Sequence, residues 1–194
     1  MKNFTTKAIL IFLVIAAFSF NQTVNAQKLT ALVSNGVTTM FGGASQFTHA
    51  YNAAITGDTI YLPGGPIAPV TIDKSIAIYG AAYHPDSTQA TSKTYITSSL
   101  YFSGNADSAS ITGVEVNGNI GTNYNHKVDY LVISRCNVKG ISFQGNATTP
   151  CEHVTVKECV IRGGVNLANA TYSNISNNIV EEQLSSGSNN AIYN

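Results

Sequence analysis

Only 10% of the residues are charged, against about 25% in ordinary globular proteins, so the groups able to do chemistry stand out one by one. The cysteines are Cys136, Cys151 and Cys159, which permit at most one intramolecular disulfide and leave a thiol over. No C-x-x-C occurs, so the spacing excludes a zinc ribbon. The histidines His49, His84, His126 and His153 are not spaced to share a metal, and nothing calls for a cofactor. The arginines are Arg135 and Arg162, and Tyr124, Tyr130 and Tyr172 lie in or near turns. Arg135 and Tyr130 from this set, together with Glu158, are the candidates for touching a substrate. No residue can be assigned as catalytic, and no metal site is indicated.

A repeat positions these residues. Four stretches share one pattern: Ser110–Val116, Val132–Val138, Thr155–Ile161 and Asn174–Val180. Each carries two apolar anchors five residues apart, Ile111/Val116, Ile133/Val138, Val156/Ile161 and Ile175/Val180. The second anchors follow one another at steps of 22, 23 and 19 residues. Two anchors per copy are too few for a helix, which needs apolar residues at i, i+3, i+4 and i+7. Two short strands bent round a polar corner fit, and stacking such coils buries a core that one coil alone cannot. Parallel coils lie about 4.8 Å apart, so aligned residues become neighbours.

That alignment sets Cys136 over Cys159, between Val114 and Asn178, and Arg135 over Glu158. An Arg–Glu pair of this kind supports register by a few tenths to one kcal/mol and is not by itself a site. Lys139, Arg162 and Glu181 form a third column. Gly118, Gly140 and Gly163 sit two places after the second anchor, where a sharp bend is expected. The stacked cysteines fall within disulfide reach, but side chains stacked in parallel point the same way and are expected to remain buried thiols. Cys151, in a turn after Pro150, is either free or paired between chains.

An apolar residue, a polar corner with Asn or Cys, a second apolar residue and a Gly together resemble the right-handed parallel β-helix proteins of the pectin-lyase-like group. Phe47–Gly65 (FTHAYNAAITGDTIYLPGG) followed by Val70–Ala81 is similar to the N-terminal cap of that group, in which a short helix leads into the first coils. The resemblance covers about Gly43 to Asn194. It implies an all-β, right-handed parallel β-helix with a short N-terminal capping helix, and enzymes acting on acidic polysaccharides. Hydrolases of the fold need carboxylates converging on one groove, and their N-T-D, D-D and G-H-G strings are absent. Lyases need a base near clustered acidic Ca²⁺ ligands, whereas Asp107 and Asp129 lie in separate turns and Arg135 is committed to Glu158. His84-Pro85-Asp86 is similar to a string in alginate epimerases, but turn composition explains it better. Faces of such solenoids suit glycans, and Tyr124, Tyr130 and Tyr172 offer rings for that, although tyrosines in turns more often serve packing.

In chain order, Met1–Ala26 reads as a secretory signal peptide. Lys2 and Lys7 precede an apolar run, Ala8–Phe20, that is shorter than the roughly 20 residues a membrane span needs. Removing it leaves one domain, residues 27–194, without a membrane span. There is no basic stripe, so nucleic acid is not an expected partner. The Asn-x-Thr triplets at Asn146 and Asn169 are those expected by chance in an Asn- and Thr-rich chain. Gln27–Gly43 shows no strong period. Ser45 is placed as the N-cap of a helix through about Ile55, with Phe47, Ala50, Tyr51, Ala54 and Ile55 on one face and Gly57 as its left-handed stop. Strands are expected at Thr59–Leu62, Val70–Ile72, Ile76–Tyr79 and along Tyr95–Phe102. Turns or loops are expected at Pro63–Pro69, Ala81–Lys93, Asn117–Asp129 and Gly145–Glu152. Ala191–Asn194 reads as the opening of a fifth copy, so the domain is expected to be incomplete at its C-terminus, with association through an open C-terminal coil as the alternative. The reading is a bacterial secreted or cell-surface protein that binds or processes polysaccharide. The alternative is a non-enzymatic adhesin or structural surface protein.

Overall fold

A computed structural model of the chain describes residues 28–83, 92–123, 125–181 and 184–186. Met1–Ala26, His84-Pro85-Asp86, Tyr124 and Ala191–Asn194 lie outside the described residues.

The chain opens with an antiparallel hairpin of β1 (Thr30–Ser34) and β2 (Val37–Phe41), then α1 (Gln46–Ala53). The coils follow as β3 (Thr59–Tyr61), β4 (Gly65–Ile67), β5 (Ala77–Tyr79), β6 (Thr94–Ile96), β7 (Leu100–Phe102), β8 (Ser110–Thr112) and β9 (Glu115–Thr122). They continue as β10 (Val132–Ser134), β11 (Asn137–Gln144), β12 (Cys151–Glu152), β13 (Thr155–Lys157), β14 (Val160–Ile161), β15 (Val165–Thr171), β16 (Asn174–Ser176), β17 (Ile179–Val180) and β18 (Leu184–Ser186). These strands stack as a parallel β-solenoid of about five turns. One wall runs β3-β5-β8-β10-β13-β16 in parallel, and a second runs through β4, β6, β9, β11 and β15.

Each strand of the first wall has three residues and one inward side chain. Ile60, Ile78, Ile111, Ile133, Val156 and Ile175 form that inward column in unbroken register, every one fully buried. Full burial of such a side chain contributes about 1.5–3 kcal/mol, so the column ties successive coils together. Val116, Val138 and Ile161 do the same for the second wall. Val180, the last anchor, is only partly buried against the core.

The capping segment departs from expectation in three ways. First, the region without a period is a hairpin closed by Asn35-Gly36, both with positive φ (50° and 78°). An Asn-Gly pair suits the primed two-residue turn that matches strand twist. Second, α1 stops at Ala53 because Ala54 is extended, so Ile55 leaves the apolar face and is 55% exposed. Ser45 makes no side-chain cap bond, and Gly57 (φ 94°) turns the chain into β3 instead of ending the helix. Third, the turn at Pro63–Pro69 contains β4, which pairs in parallel with β6.

The helix is held from the coils. Lys74 Nζ donates to the carbonyl of Tyr51 (2.9 Å), which also accepts the Ala54 N–H at 3.2 Å, and to the carbonyl of Ala54 (2.8 Å) just past the helix end. Tyr51 donates its hydroxyl to Asp73 and accepts from the Asp73 N–H at 2.7 Å. Gly118 and Gly140 are not at bends either, since both lie inside long strands, in β9 and β11. A Cβ on Gly118 would meet Ser99 Oγ at 2.3 Å and Ser99 N at 2.6 Å, so close approach between coils excludes a side chain there.

Candidate functional site

The three-residue strands of the first wall are bounded by two columns of left-handed corners. One is Ser108, Tyr130, His153 and Tyr172 (φ 63°, 57°, 57° and 52°). The other is Gly113, Arg135, Glu158 and Asn177 (φ 75°, 51°, 56° and 55°). This conformation costs a non-glycine residue about 1–2 kcal/mol. Hydrogen bonds between coils offset it at the inner corners, whose N–H groups find carbonyls of the next coil. Tyr130 donates to Glu152 at 2.9 Å, His153 to Thr171 at 3.1 Å, Arg135 to Lys157 at 3.2 Å and Glu158 to Ser176 at 3.4 Å. The corners therefore hold their side chains outside the core at a fixed coil-to-coil spacing.

On the first corner the spacing makes a ladder of rings. Tyr130 stacks on His153 with centroids 4.8 Å apart and planes 6° from parallel, and His153 stacks on Tyr172 at 5.4 Å and 18°. Tyr130 and Tyr172 are 56% and 74% exposed, and His153 is exposed as well. His153 is covered on both ring faces and each tyrosine on one, so the ladder presents a row of ring edges to solvent. Its polar tips are phenol, imidazole and phenol, and among the described residues none is tied by a side-chain hydrogen bond. On the second corner Arg135 Nε donates to Glu158 Oε2 at 2.8 Å. That bond holds the Glu158 carboxyl below its ordinary range and raises Arg135. The three sequence candidates thus lie on one face, with Tyr130 and Arg135 at opposite ends of β10 and at most about 17 Å apart. Between them one register column runs Ser134, Lys157 and Ser176, of which Lys157 is exposed, Ser176 half-buried and Ser134 buried, its Oγ 2.8 Å from Thr112 Oγ1 of the preceding coil.

The carboxylates that occupy separate turns in the sequence come together in space. Asp107 Oδ1 accepts the Asp129 N–H at 2.7 Å, and Asp129 Oδ1 accepts the Glu152 N–H at 2.8 Å. Lys127 Nζ lies 3.0 Å from Asp129 Oδ2 and 4.0 Å from Glu152 Oε2. Its ammonium is raised chiefly by the bond to Asp129. Asp107, Asp129 and Glu152 each immediately precede a corner residue, so an acidic column runs beside the aromatic one. The signal was in the alignment, since the three lie at the same offset before their anchors. His153 was legible there too, at the offset of Tyr130 and Tyr172.

The thiols sit beneath this face and not on it. Cys136, Cys151 and Cys159 are free and buried. Cys136 N–H points to Cys159 Sγ at 3.4 Å, and burial pushes the Cys136 thiol well up. Asn178 takes the next place in the stack, accepting the Cys159 N–H at 2.9 Å and donating to the Val156 carbonyl at 2.9 Å. Cys151 Sγ faces the His126 carbonyl at 3.7 Å. Among the described residues no three His, Cys, Asp or Glu side chains are grouped to hold a metal ion.

A separate open groove of about 440 Å³ lies at the second wall, lined by Gly65, Pro66, Ser92, Lys93, Tyr95 and Glu115. The buried Glu115 carboxylate pairs there with Lys93, whose ammonium is 5.9 Å from the Tyr95 ring centroid. None of the three sequence candidates reaches it.

No described helix is long and apolar enough to cross a membrane. No protein-family model matches the chain, and neither a curated protein nor a solved structure does.

Proposed function

We propose that this chain is a secreted, polysaccharide-binding β-solenoid related to the pectin-lyase-like group, acting at or outside the cell surface. The secretory placement rests on the Met1–Ala26 pattern, and the kinship on the Phe47–Gly65 run together with the stacked coils. The carrying observation for binding is the exposed ladder Tyr130–His153–Tyr172. A polymer with a regular repeat of hydroxyls meets there a regular repeat of hydrogen-bonding tips, on a scaffold ordered before the ligand arrives. Binding to such a preordered surface loses little to conformational ordering. The Arg135–Glu158 pair and the exposed Lys157 supply further donors and acceptors across the same face. Binding is favoured over processing because Asp107 and Asp129 each spend a carboxylate oxygen on a backbone N–H.

The test is affinity electrophoresis of the secreted protein through gels containing single polysaccharides, with Tyr172→Ala and His153→Ala beside the wild type. Both side chains are exposed corners, so their loss should leave the melting temperature nearly unchanged. Retardation of the wild type by at least one polymer, reduced in both variants, supports the reading. Retardation untouched by either variant removes the ladder from it.

A further inference from the structure

The charges along the aromatic edge bear on which polysaccharide the face would take. This inference rests on the binding reading above. Beside Tyr130 and His153 run the carboxylates of Asp107, Asp129 and Glu152, and the ammonium that meets them is Lys127. The aromatic edge is therefore net negative by two charges at neutral pH. Across the strip Arg135 is neutralised by Glu158, and Lys157 lies between the edges.

We infer that the ladder takes an uncharged glycan chain lying along the solenoid axis and discriminates against chains bearing a carboxylate or sulfate on each sugar. An ionised carboxylate only accepts hydrogen bonds, so it complements sugar hydroxyls and opposes sugar anions. Asp129 has spent both oxygens, one on the Glu152 N–H and one on Lys127. Asp107 keeps its second oxygen, and the Glu152 carboxylate caps no backbone group. The acceptors facing a ligand are thus Asp107 and Glu152, and the phenols of Tyr130 and Tyr172 supply donors in the adjacent column. Two net negative charges about 8 Å from an anionic sugar weaken its binding roughly fivefold in dilute buffer. The Debye length of about 8 Å at physiological ionic strength shrinks that penalty as salt is added.

The experiment compares retention of the wild type on an uncharged β-glucan, an uncharged galactomannan, a polyuronate and a sulfated polymer, at low and at physiological salt. The expected result is that at least one uncharged polymer is retained with little salt dependence. The polyuronate and sulfated polymer should be held about fivefold less at low salt, with the gap closing as salt rises. The double variant Asp107→Asn/Glu152→Gln keeps an acceptor oxygen at each site and should raise polyuronate retention about fivefold. If it does not fold, Glu152→Gln alone should give about half that gain on a logarithmic scale. Stronger retention of polyuronate than of either uncharged polymer by the wild type overturns the inference and leaves the binding reading standing. An unchanged polyuronate-to-uncharged ratio in the folded variant also overturns it. Absence of retention by all four polymers removes the binding reading itself, and this inference with it.

Discussion

Arg162 reaches back across two coils to donate from Nη2 to the carbonyl of Val116 at 3.0 Å. The reach answers a local defect. Strand β9 carries one residue more than β11 between the pairs Val116/Val138 and Asn119/Gly140, and such an insertion disrupts the ladder locally. The guanidinium supplies a donor to the Val116 carbonyl in this irregular stretch. Lys139, Arg162 and Glu181 do follow stacked anchors, but the Arg162 side chain turns to this carbonyl.

Replacing Arg162 with Met should leave that carbonyl buried without its donor and cost about 1–3 kcal/mol in urea unfolding. Arg162→Lys should recover part of the loss, since an ammonium can donate but lacks the planar reach of a guanidinium. A Met variant as stable as the wild type would mean that Val116 finds another donor.

Ile133 stands between Ile111 and Val156 in the inward column. Ile133→Ala should cost about 2–5 kcal/mol, through lost burial and the cavity left behind. Ile133→Asp should abolish the folded state, because an unpaired charge there has no partner. Far-UV circular dichroism and melting read both, and a native-like Asp variant would refute the inward placement.

Tyr51 joins the capping helix to Asp73, and burial first, then that carboxylate, pushes its phenol up to about 12 from an ordinary 10. A group whose folded value is raised contributes stability that is whole below the unfolded value and lost above it. Stability should therefore hold to about pH 10 and fall between about pH 10 and 12. Tyr51→Phe should lower stability at neutral pH and flatten that alkaline decline. Parallel alkaline curves for wild type and Tyr51→Phe would assign the decline to other groups.

Cys136, Cys151 and Cys159 are buried, and burial raises the thiols of Cys136 and Cys151. Since the thiolate is the reactive form, an aromatic disulfide reagent at neutral pH should label the folded protein slowly and all three thiols quickly in denaturant. Fewer than three thiols in denaturant, restored by a reductant, would indicate a disulfide.

Much of the coil was legible because parallel in-register stacking turns sequence alignment into contact. Arg135 lies on Glu158 and Cys136 on Cys159 as the steps between anchors imply. The hairpin left its mark in Asn35-Gly36, but its strands are too short to set a period. The helix end was not legible: Ile55 continues the apolar face, but its N–H goes to Asp58 Oδ2 at 2.8 Å and the chain turns away. The extra residue in β9 was invisible for a related reason. It lies between anchors, where no apolar pattern marks which residue pairs with which.

What the amino-acid sequence determined by itself was the inner face. β-branched residues that recur once per coil must be buried somewhere, and stacking is the arrangement that buries them all. The outer face was decided by tertiary structure. Exposed positions carry no hydrophobic signal, and the left-handed corners at Tyr130 and His153 are held by carbonyls of the neighbouring coil. Residues 22 and 23 positions apart, such as Asp107, Asp129 and Glu152, become one surface feature only when those coils close on one another.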